Sequence, residues 1–232
     1  MREPTKPYVI AEVGNCHEGS LDAAIELVER AREAGADFVK FQAGTAAGFA
    51  RTREEIPRYE KYAFTKDQYW KLAKHAVALE IEPFFSVWGE GFDEFMVTPI
   101  RWRKIPARQC DSVSITRWLS RSTFISIPHW YIEVDVKALG IDRGIPMHCV
   151  TEYPAVDPML NRILKLSEWL NLPAGFSDHT IGIENAIAAV KHAGAVAIEK
   201  HFTLSHDFGP LRDHGLAATP AEMRALVEAV KG

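Results

Sequence analysis

The sequence predicts an α/β fold of the parallel class, closed into a compact (β/α)₈ (TIM) barrel. Three observations carry this. Eight short apolar runs recur along the chain, helical patterns separate them, and there is no run of consecutive strands. Such alternation builds a parallel sheet, and eight units close it into a barrel. A chain of 232 residues can fill one sizeable core, so residues 1–232 are read as a single barrel domain.

The runs are Tyr8–Ala11, Phe38–Phe41, Pro83–Val87, Trp102–Ile105, Phe124–Ile127, Pro146–Cys149, Ala174–Phe176 and Val196–Ile198. Short runs buried on both faces suit strands covered by helices on one side and a packed interior on the other. Between them, Ala24, Leu27, Val28 and Ala31 share a helix face. So do Leu160, Ile163, Leu164 and Leu170, then Ile183, Ala186, Ile187 and Val190, and last Met223, Leu226, Val227 and Val230. Thr65 with Gln68 and Thr219 with Glu222 read as capping boxes, and Ser20 and Ser114 as further caps. Pro158 and Pro220 suit first turns, while Gly35 and Gly194 mark helix ends. Between strands three and six the helical segments are short: Phe92–Met96, Ile115–Leu119 and Tyr131–Leu139. The charged stretch Arg51–Lys61 reads as an exposed loop. Ala34–Gln42 aligns with Ala193–His201, each a helix end, a tight turn and a strand with a polar C-terminal end.

Composition narrows the function. The net charge is −4, with no basic run, which argues against nucleic acid as a partner. An anionic ligand must then be held by a few local lysines. Cys16, Cys110 and Cys149 are odd in number and widely spaced, which argues against a disulfide framework and for a reducing, cytoplasmic setting. The apolar segment after Met1–Pro4 is too short for a signal peptide or a membrane span.

Parallel barrels keep their chemistry at the C-terminal ends of the strands. There the sequence places Glu12 with Asn15 and His17, Lys40 with Gln42, Ser86, Lys104, Ser126, His148-Cys149 followed by Thr151 and Tyr153, Ser177-Asp178-His179, and Glu199-Lys200-His201. His179 and His201 follow neighbouring strands and can share one divalent metal, with water and substrate completing its shell. One such histidine is explained by a backbone hydrogen bond; two, beside Asp178 and Glu199, favour a metal. Glu12 neighbours strand eight in a closed ring and suits either a third ligand or the orientation of a bound water. Lys40 and Lys104 suit a phosphate or carboxylate, or a Schiff base if desolvated, against the commoner surface lysine. Lys40 and Gln42 share a strand face, whereas Lys200 points away from His201. The tryptophans read as packing, with Trp88 and Trp130 placed to line a pocket.

These motifs resemble those of the sialic acid synthase (N-acetylneuraminate synthase) family. Ile10-Ala11-Glu12-Val13-Gly14 with His17-Glu18-Gly19-Ser20 is similar to its opening motif, and Ala34–Gln42 to its second-strand motif. Lys104-Ile105, His148-Cys149 with Glu152-Tyr153-Pro154, Gly175–Thr180 and Glu199–Thr203 follow in the family's order. The resemblance implies a (β/α)₈ barrel that joins C3 of phosphoenolpyruvate to the aldehyde carbon of an N-acetylated sugar, with loss of phosphate. It implies a divalent metal, Mn²⁺ or Mg²⁺, on His179 and His201, with Glu12 close by. Lys40, Lys104, Ser126, Tyr153 and Ser177 would cradle phosphoenolpyruvate, with Gln42 near that site; Ser86, Thr151 and Asp178 join them as substrate-binding candidates.

The chain also departs from the pattern. Pro106-Ala107-Arg108-Gln109 stands where the family usually has Gly-Ser-Gly-Glu, Ile127-Pro128-His129 where it has Thr-Gly-Met, and Thr151 where many members have an asparagine. The sequence ends after the eighth helix, where members usually add a small antifreeze-like domain. These differences bear on the acceptor sugar more than on the phosphoenolpyruvate and metal sites. They leave three alternatives beside the synthase: another phosphoenolpyruvate-dependent condensation, a metal-dependent aldolase, and a barrel that binds phosphorylated or acidic sugars without catalysis. Association into a homo-oligomer is left open.

Overall fold

The computed structural model describes residues 6–96, 99–111, 119–120 and 122–232. All eight strands form: β1 Tyr8–Gly14, β2 Phe38–Gly44, β3 Glu82–Trp88, β4 Arg103–Ile105, β5 Thr123–Pro128, β6 Ile145–Cys149, β7 Gly175–Asp178 and β8 Ala197–His201. Hydrogen-bonded neighbours run β3-β2-β1-β8-β7-β6-β5-β4, every pair parallel, and β3 packs against β4 to bring the ring nearly to closure. β1 therefore pairs on both sides, setting Glu12 opposite Lys40 of β2 and His201 of β8.

The described helices are α1 Leu21–Glu33, α2 Ala46–Phe49, α3 Ile56–Glu60, α4 Lys66–Ala78, α5 Glu133–Ala138, α6 Asn161–Leu170, α7 Glu184–Ala193 and α8 Pro220–Lys231. Their starts follow cap chemistry, in which a side-chain oxygen takes an otherwise unpaired backbone N–H. Ser20 accepts from Ala23 N at 3.2 Å, and both capping boxes, Thr65 with Gln68 and Thr219 with Glu222, are closed. Gly35 and Gly194 stop α1 and α7 with φ of 84° and 66°, where a side chain would be strained. On α1 the predicted stripe of Ala24, Leu27, Val28 and Ala31 is buried.

Several expectations change. α6 begins at Asn161, so Pro158 lies before the helix and its carbonyl accepts from His148 Nε2 at 2.9 Å. On the same helix Ile163 and Leu166 face the core while Leu164 is half exposed, because the 3.6-residue period turns it outward. Phe92–Met96 contains one 3₁₀ turn, Asp93–Met96, and the helix expected over Tyr131–Leu139 shortens to α5. Ser114, Trp118 and most of Ile115–Leu119 lie outside the described residues.

The N-terminal half of the barrel is plugged by aromatic rings. Tyr8, Phe38, Phe84, Trp102 and Phe124 meet with centroids 4.9–5.7 Å apart in their closest pairs. Edge-to-face and stacked pairs of this kind add about 0.5–1.5 kcal/mol each beyond the area they bury. The plug also fixes where polar groups can stand, because every second residue along a strand faces inward.

Candidate active site

Two residues beyond the plug the inward positions turn polar. Phe38 is followed by Lys40 and Gln42, Phe84 by Ser86 and Trp88, Trp102 by Lys104, Phe124 by Ser126, and Ala197 by Glu199 and His201. With Glu12, Cys149, Thr151, Tyr153, Ser177 and His179 they line a cavity of about 260 Å³ at the C-terminal end of the barrel.

Four charges form its floor. Glu199 Oε2 accepts from Lys104 Nζ at 2.9 Å; Oε1 accepts from Ser177 Oγ at 3.1 Å and lies 3.7 Å from Lys40 Nζ. Glu12 is ion-paired with Lys40, and its Oε1 accepts from Gln42 Nε2 at 3.3 Å. All four charged residues are buried. Burial pushes the Glu12 carboxyl up, Lys40 opposes it, Glu199 adds to the rise, and the result is about 7. Burial acts the same way on Glu199, but Lys104 and Lys40 outweigh it and hold that carboxyl down to about 2. Burial lowers Lys104 despite Glu199, whereas on Lys40 burial is outweighed by Glu12 and Glu199 and the ammonium is raised. Two carboxylates with proton affinities driven apart are the usual form of a divided acid and base role.

Beside this floor stand the two imidazoles, ring centroids 5.6 Å apart. Nδ1 of His179 lies 2.6 Å from the Val150 carbonyl, which only accepts, so that nitrogen carries the proton. Nε2 is left as a lone pair, and the Tyr153 hydroxyl donates to it at 3.0 Å. Nδ1 of His201 is buried without a hydrogen-bond partner. Burial lowers His179 to about 4 and His201 well below its usual range, so both rings are neutral near pH 7. Neutral imidazoles, one with its tautomer fixed by a backbone carbonyl, are the donor chemistry a divalent cation requires. Among the described residues no three His, Cys, Asp or Glu side chains converge as a metal cluster.

The structure brings Glu12, Lys40, Gln42, Ser86, Lys104, Ser126, Thr151, Tyr153, Ser177, His179 and His201 to this one cavity. Ser86 Oγ accepts from Trp88 Nε1 at 3.2 Å. Asp178 is the exception: it faces away from the cavity, accepting from Thr180 N and Oγ1 at 2.8 and 2.7 Å and from Lys200 Nζ at 2.9 Å. Alternation along β7 sends it outward between Ser177 and His179, as it sends Lys200 outward between Glu199 and His201. Trp130, expected near the pocket with Trp88, is 58% exposed and does not line it. His17 stacks on Phe64 at 4.2 Å, and His148 stacks on Phe176. Burial pushes the Cys149 thiol up to about 12, so it is a neutral wall residue rather than a nucleophile.

Two features were not assigned from sequence. The sequence points to Glu199 only as a neighbour of His201, although the period-two rule puts both on one face. The segment Arg51–Lys61 is not simply an exposed loop: it carries a 3₁₀ turn and α3, and Arg51, Glu55, Arg58 and Tyr59 help line the cavity. Opposite them stand Leu211, Arg212 and Asp213, and Arg108 joins the rim with its guanidinium 4.4 Å over Trp88 and bonded to the carbonyls of Gly48 and Phe49. No local pattern announces these loop contacts.

Fold and site together define a parallel α/β barrel with a charged, imidazole-bearing cavity at the C-terminal mouth. The chain belongs to the sialic acid synthase (NeuB) family. A family model described as the NeuB family matches residues 132–232. The N,N'-diacetyllegionaminic acid synthase of Legionella pneumophila is 31% identical, the match covering 97% of this chain and 71% of that protein. The human N-acetylneuraminate-9-phosphate synthase is 28% identical over 97% of this chain and 69% of its own. Among solved structures, the N-acetylneuraminic acid synthetase of Leptospira borgpetersenii matches with a TM-score of 0.89 at 26% identity, covering 98% of this chain and 83% of that one. No helix among the described residues is long and apolar enough to cross a membrane.

Proposed function

We propose that the chain condenses phosphoenolpyruvate with the aldehyde of an N-acetylated sugar, giving a nonulosonate or related 2-keto-3-deoxy sugar acid and releasing phosphate. We take residues 1–232 as the catalytic unit, acting in the cytoplasm. The observation that carries the reading is the pairing of two buried lysines with two neutral imidazoles in one barrel mouth, in a chain whose relatives are named as synthases of such acids.

The reaction forms a bond between C3 of phosphoenolpyruvate and the aldehyde carbon, turning C2 into an oxocarbenium-like centre. Water adds to C2, and the C2–O bond to phosphate then breaks, leaving the keto acid. Lys104 and Lys40 bind the anionic groups, helped by hydroxyls of Ser126, Ser177 and Tyr153. Their charges are already balanced by Glu199 and Glu12, so the floor holds the anion by hydrogen bonds as much as by net charge. His179 and His201 would hold a divalent cation, Mn²⁺ or Mg²⁺, which supplies Lewis-acid polarisation of the aldehyde oxygen when bound. Glu12, with a proton affinity near neutrality, gives a proton to the aldehyde oxygen as the carbon–carbon bond forms and takes one back from the water that attacks C2, and Gln42 fixes its orientation. Ser86 and Thr151 border the acceptor.

Calorimetric titration of phosphoenolpyruvate with Mn²⁺, and again with chelator, tests the site, followed by phosphate release with N-acetylated aldoses. Metal-dependent binding and aldose-dependent phosphate are expected. Absence of binding in both conditions would refute the synthase reading and favour a sugar-binding barrel, while pyruvate formed without phosphoenolpyruvate would indicate an aldolase. His179→Ala should lose Mn²⁺ affinity with the fold intact; unchanged affinity would remove it as a ligand.

A further inference from the structure

Glu18 lies in the loop after β1 with φ of 52°, a left-handed conformation that a non-glycine residue rarely adopts. Its carboxylate takes four hydrogen bonds from two other loops. Leu211 N and His214 Nε2 each donate to Oε1 at 3.0 Å; Lys61 Nζ and Tyr62 Oη donate to Oε2 at 2.7 and 3.3 Å. Gly209 leaves room for the side chain, since a Cβ there would stand 2.5 Å from Glu18 Cγ and Cδ. His214 is fixed in turn by Thr203 Oγ1 at 2.7 Å from Nδ1. Beneath the carboxylate, Cys16, Tyr62, Leu211 and Ala217 form a small apolar cluster separate from the main core.

The three loops so joined follow β1, β2 and β8, which are neighbours in the ring. They are also the loops that bring Asn15, Arg58, Tyr59, Arg212 and Asp213 to the cavity mouth. Arg212 holds its guanidinium 4.9 Å over the Tyr153 ring, and Tyr153 donates to His179. Loops of a parallel barrel are joined to one another only through contacts of this kind, so their relative placement depends on them. Glu18 is bonded to none of Lys40, Lys104, His179 and His201, and nothing in the proposed chemistry uses it.

We infer that Glu18 is a positioning residue, a latch that ties the loops after β1, β2 and β8 together and thereby holds Arg212 over Tyr153 at the mouth of the site. The latch stands on the structure alone; its effect on ligand binding rests on the proposed function.

Hydrogen-exchange mass spectrometry on the full chain, as E18Q and as G209A, tests the latch. G209A keeps the carboxylate and displaces it, and K61A, at an exposed lysine, removes one bond without threatening the fold. E18Q and G209A should speed exchange in residues 205–216 and 56–62 by about tenfold, and K61A by less, with the strands unchanged. Calorimetry with phosphoenolpyruvate then tests positioning. E18Q should weaken binding as much as R212Q does, and the double variant should add nothing further. Unchanged loop exchange in both E18Q and G209A overturns the latch. Loosened loops with unaltered affinity, while R212Q weakens binding, overturn positioning through Arg212. A wild-type protein that does not bind phosphoenolpyruvate refutes the proposed function, and the exchange data alone then decide the latch.

Discussion

Lys104 on β4 and Glu199 on β8 meet 2.9 Å apart across the barrel interior, both buried, and Glu199 also faces Lys40 at 3.7 Å. One carboxylate thus bridges two lysines from different strands, and Glu12 supplies the second negative charge. Glu199→Gln keeps the shape and strands Lys104 in a dry site while Lys40 keeps Glu12, so unfolding stability at pH 7 should fall by roughly 3 kcal/mol. Urea denaturation measures this, and a loss under about 0.5 kcal/mol would mean that Lys104 is not held by Glu199.

Asp178 gives the contrasting case. Its partners are Lys200 and Thr180, outside the cavity. Asp178→Asn should cost roughly 3 kcal/mol of stability through the unpaired Lys200, yet leave phosphoenolpyruvate affinity unchanged in calorimetry at a temperature where the variant is folded. A selective loss of affinity would return Asp178 to the site.

His148 makes stability depend on pH. Burial lowers it to about 4 in the folded chain, against about 6.5 when unfolded. The unfolded chain therefore binds more protons between these values. The stability tied to the neutral ring is complete above about pH 6.5 and is lost as pH falls toward 4, by roughly 3 kcal/mol in all. His148→Gln should flatten that part of the urea-midpoint profile between pH 7 and pH 4.5. An unaltered slope would place the acid sensitivity elsewhere, for instance at His17, which burial holds at about 3.

Glu12 predicts a proton balance. Its carboxyl sits at about 7 beside a floor that is formally neutral. A bound phosphoenolpyruvate anion raises it further, so binding at pH 7–8 should take up a fraction of a proton. Calorimetry in two buffers of different ionisation enthalpy reads that fraction, and Glu12→Gln should abolish it. Equal uptake in the variant would assign the proton to another group.

Much of this was legible in the chain. The apolar runs place all eight strands because most positions of a strand buried on both faces are apolar, and Thr65, Thr219, Gly35 and Gly194 mark helix ends through bonds made within a few residues. Polar residues two positions beyond Phe38, Phe84, Trp102 and Phe124 announce an inward-facing layer, since inward and outward positions alternate along a strand. The same rule, applied to β7 and β8, separates Asp178 and Lys200 from Ser177, His179, Glu199 and His201. Along β7 the same alternation turns Asp178 toward Lys200 and away from the cavity that Ser177 and His179 line.

The sequence by itself determined the barrel, its polar mouth, and the residue types available there, because each depends on periodicity and on contacts between near neighbours. Only the tertiary structure decided that Lys40 and Lys104 converge on Glu199, that Arg58 and Arg212 overhang the cavity, and that Glu18 joins Lys61 to His214. Residues 18 and 214 are 196 positions apart. Contacts at that distance along the chain arise from ring closure, which brings the ends of β1, β2 and β8 together and leaves no local trace in the residues that meet.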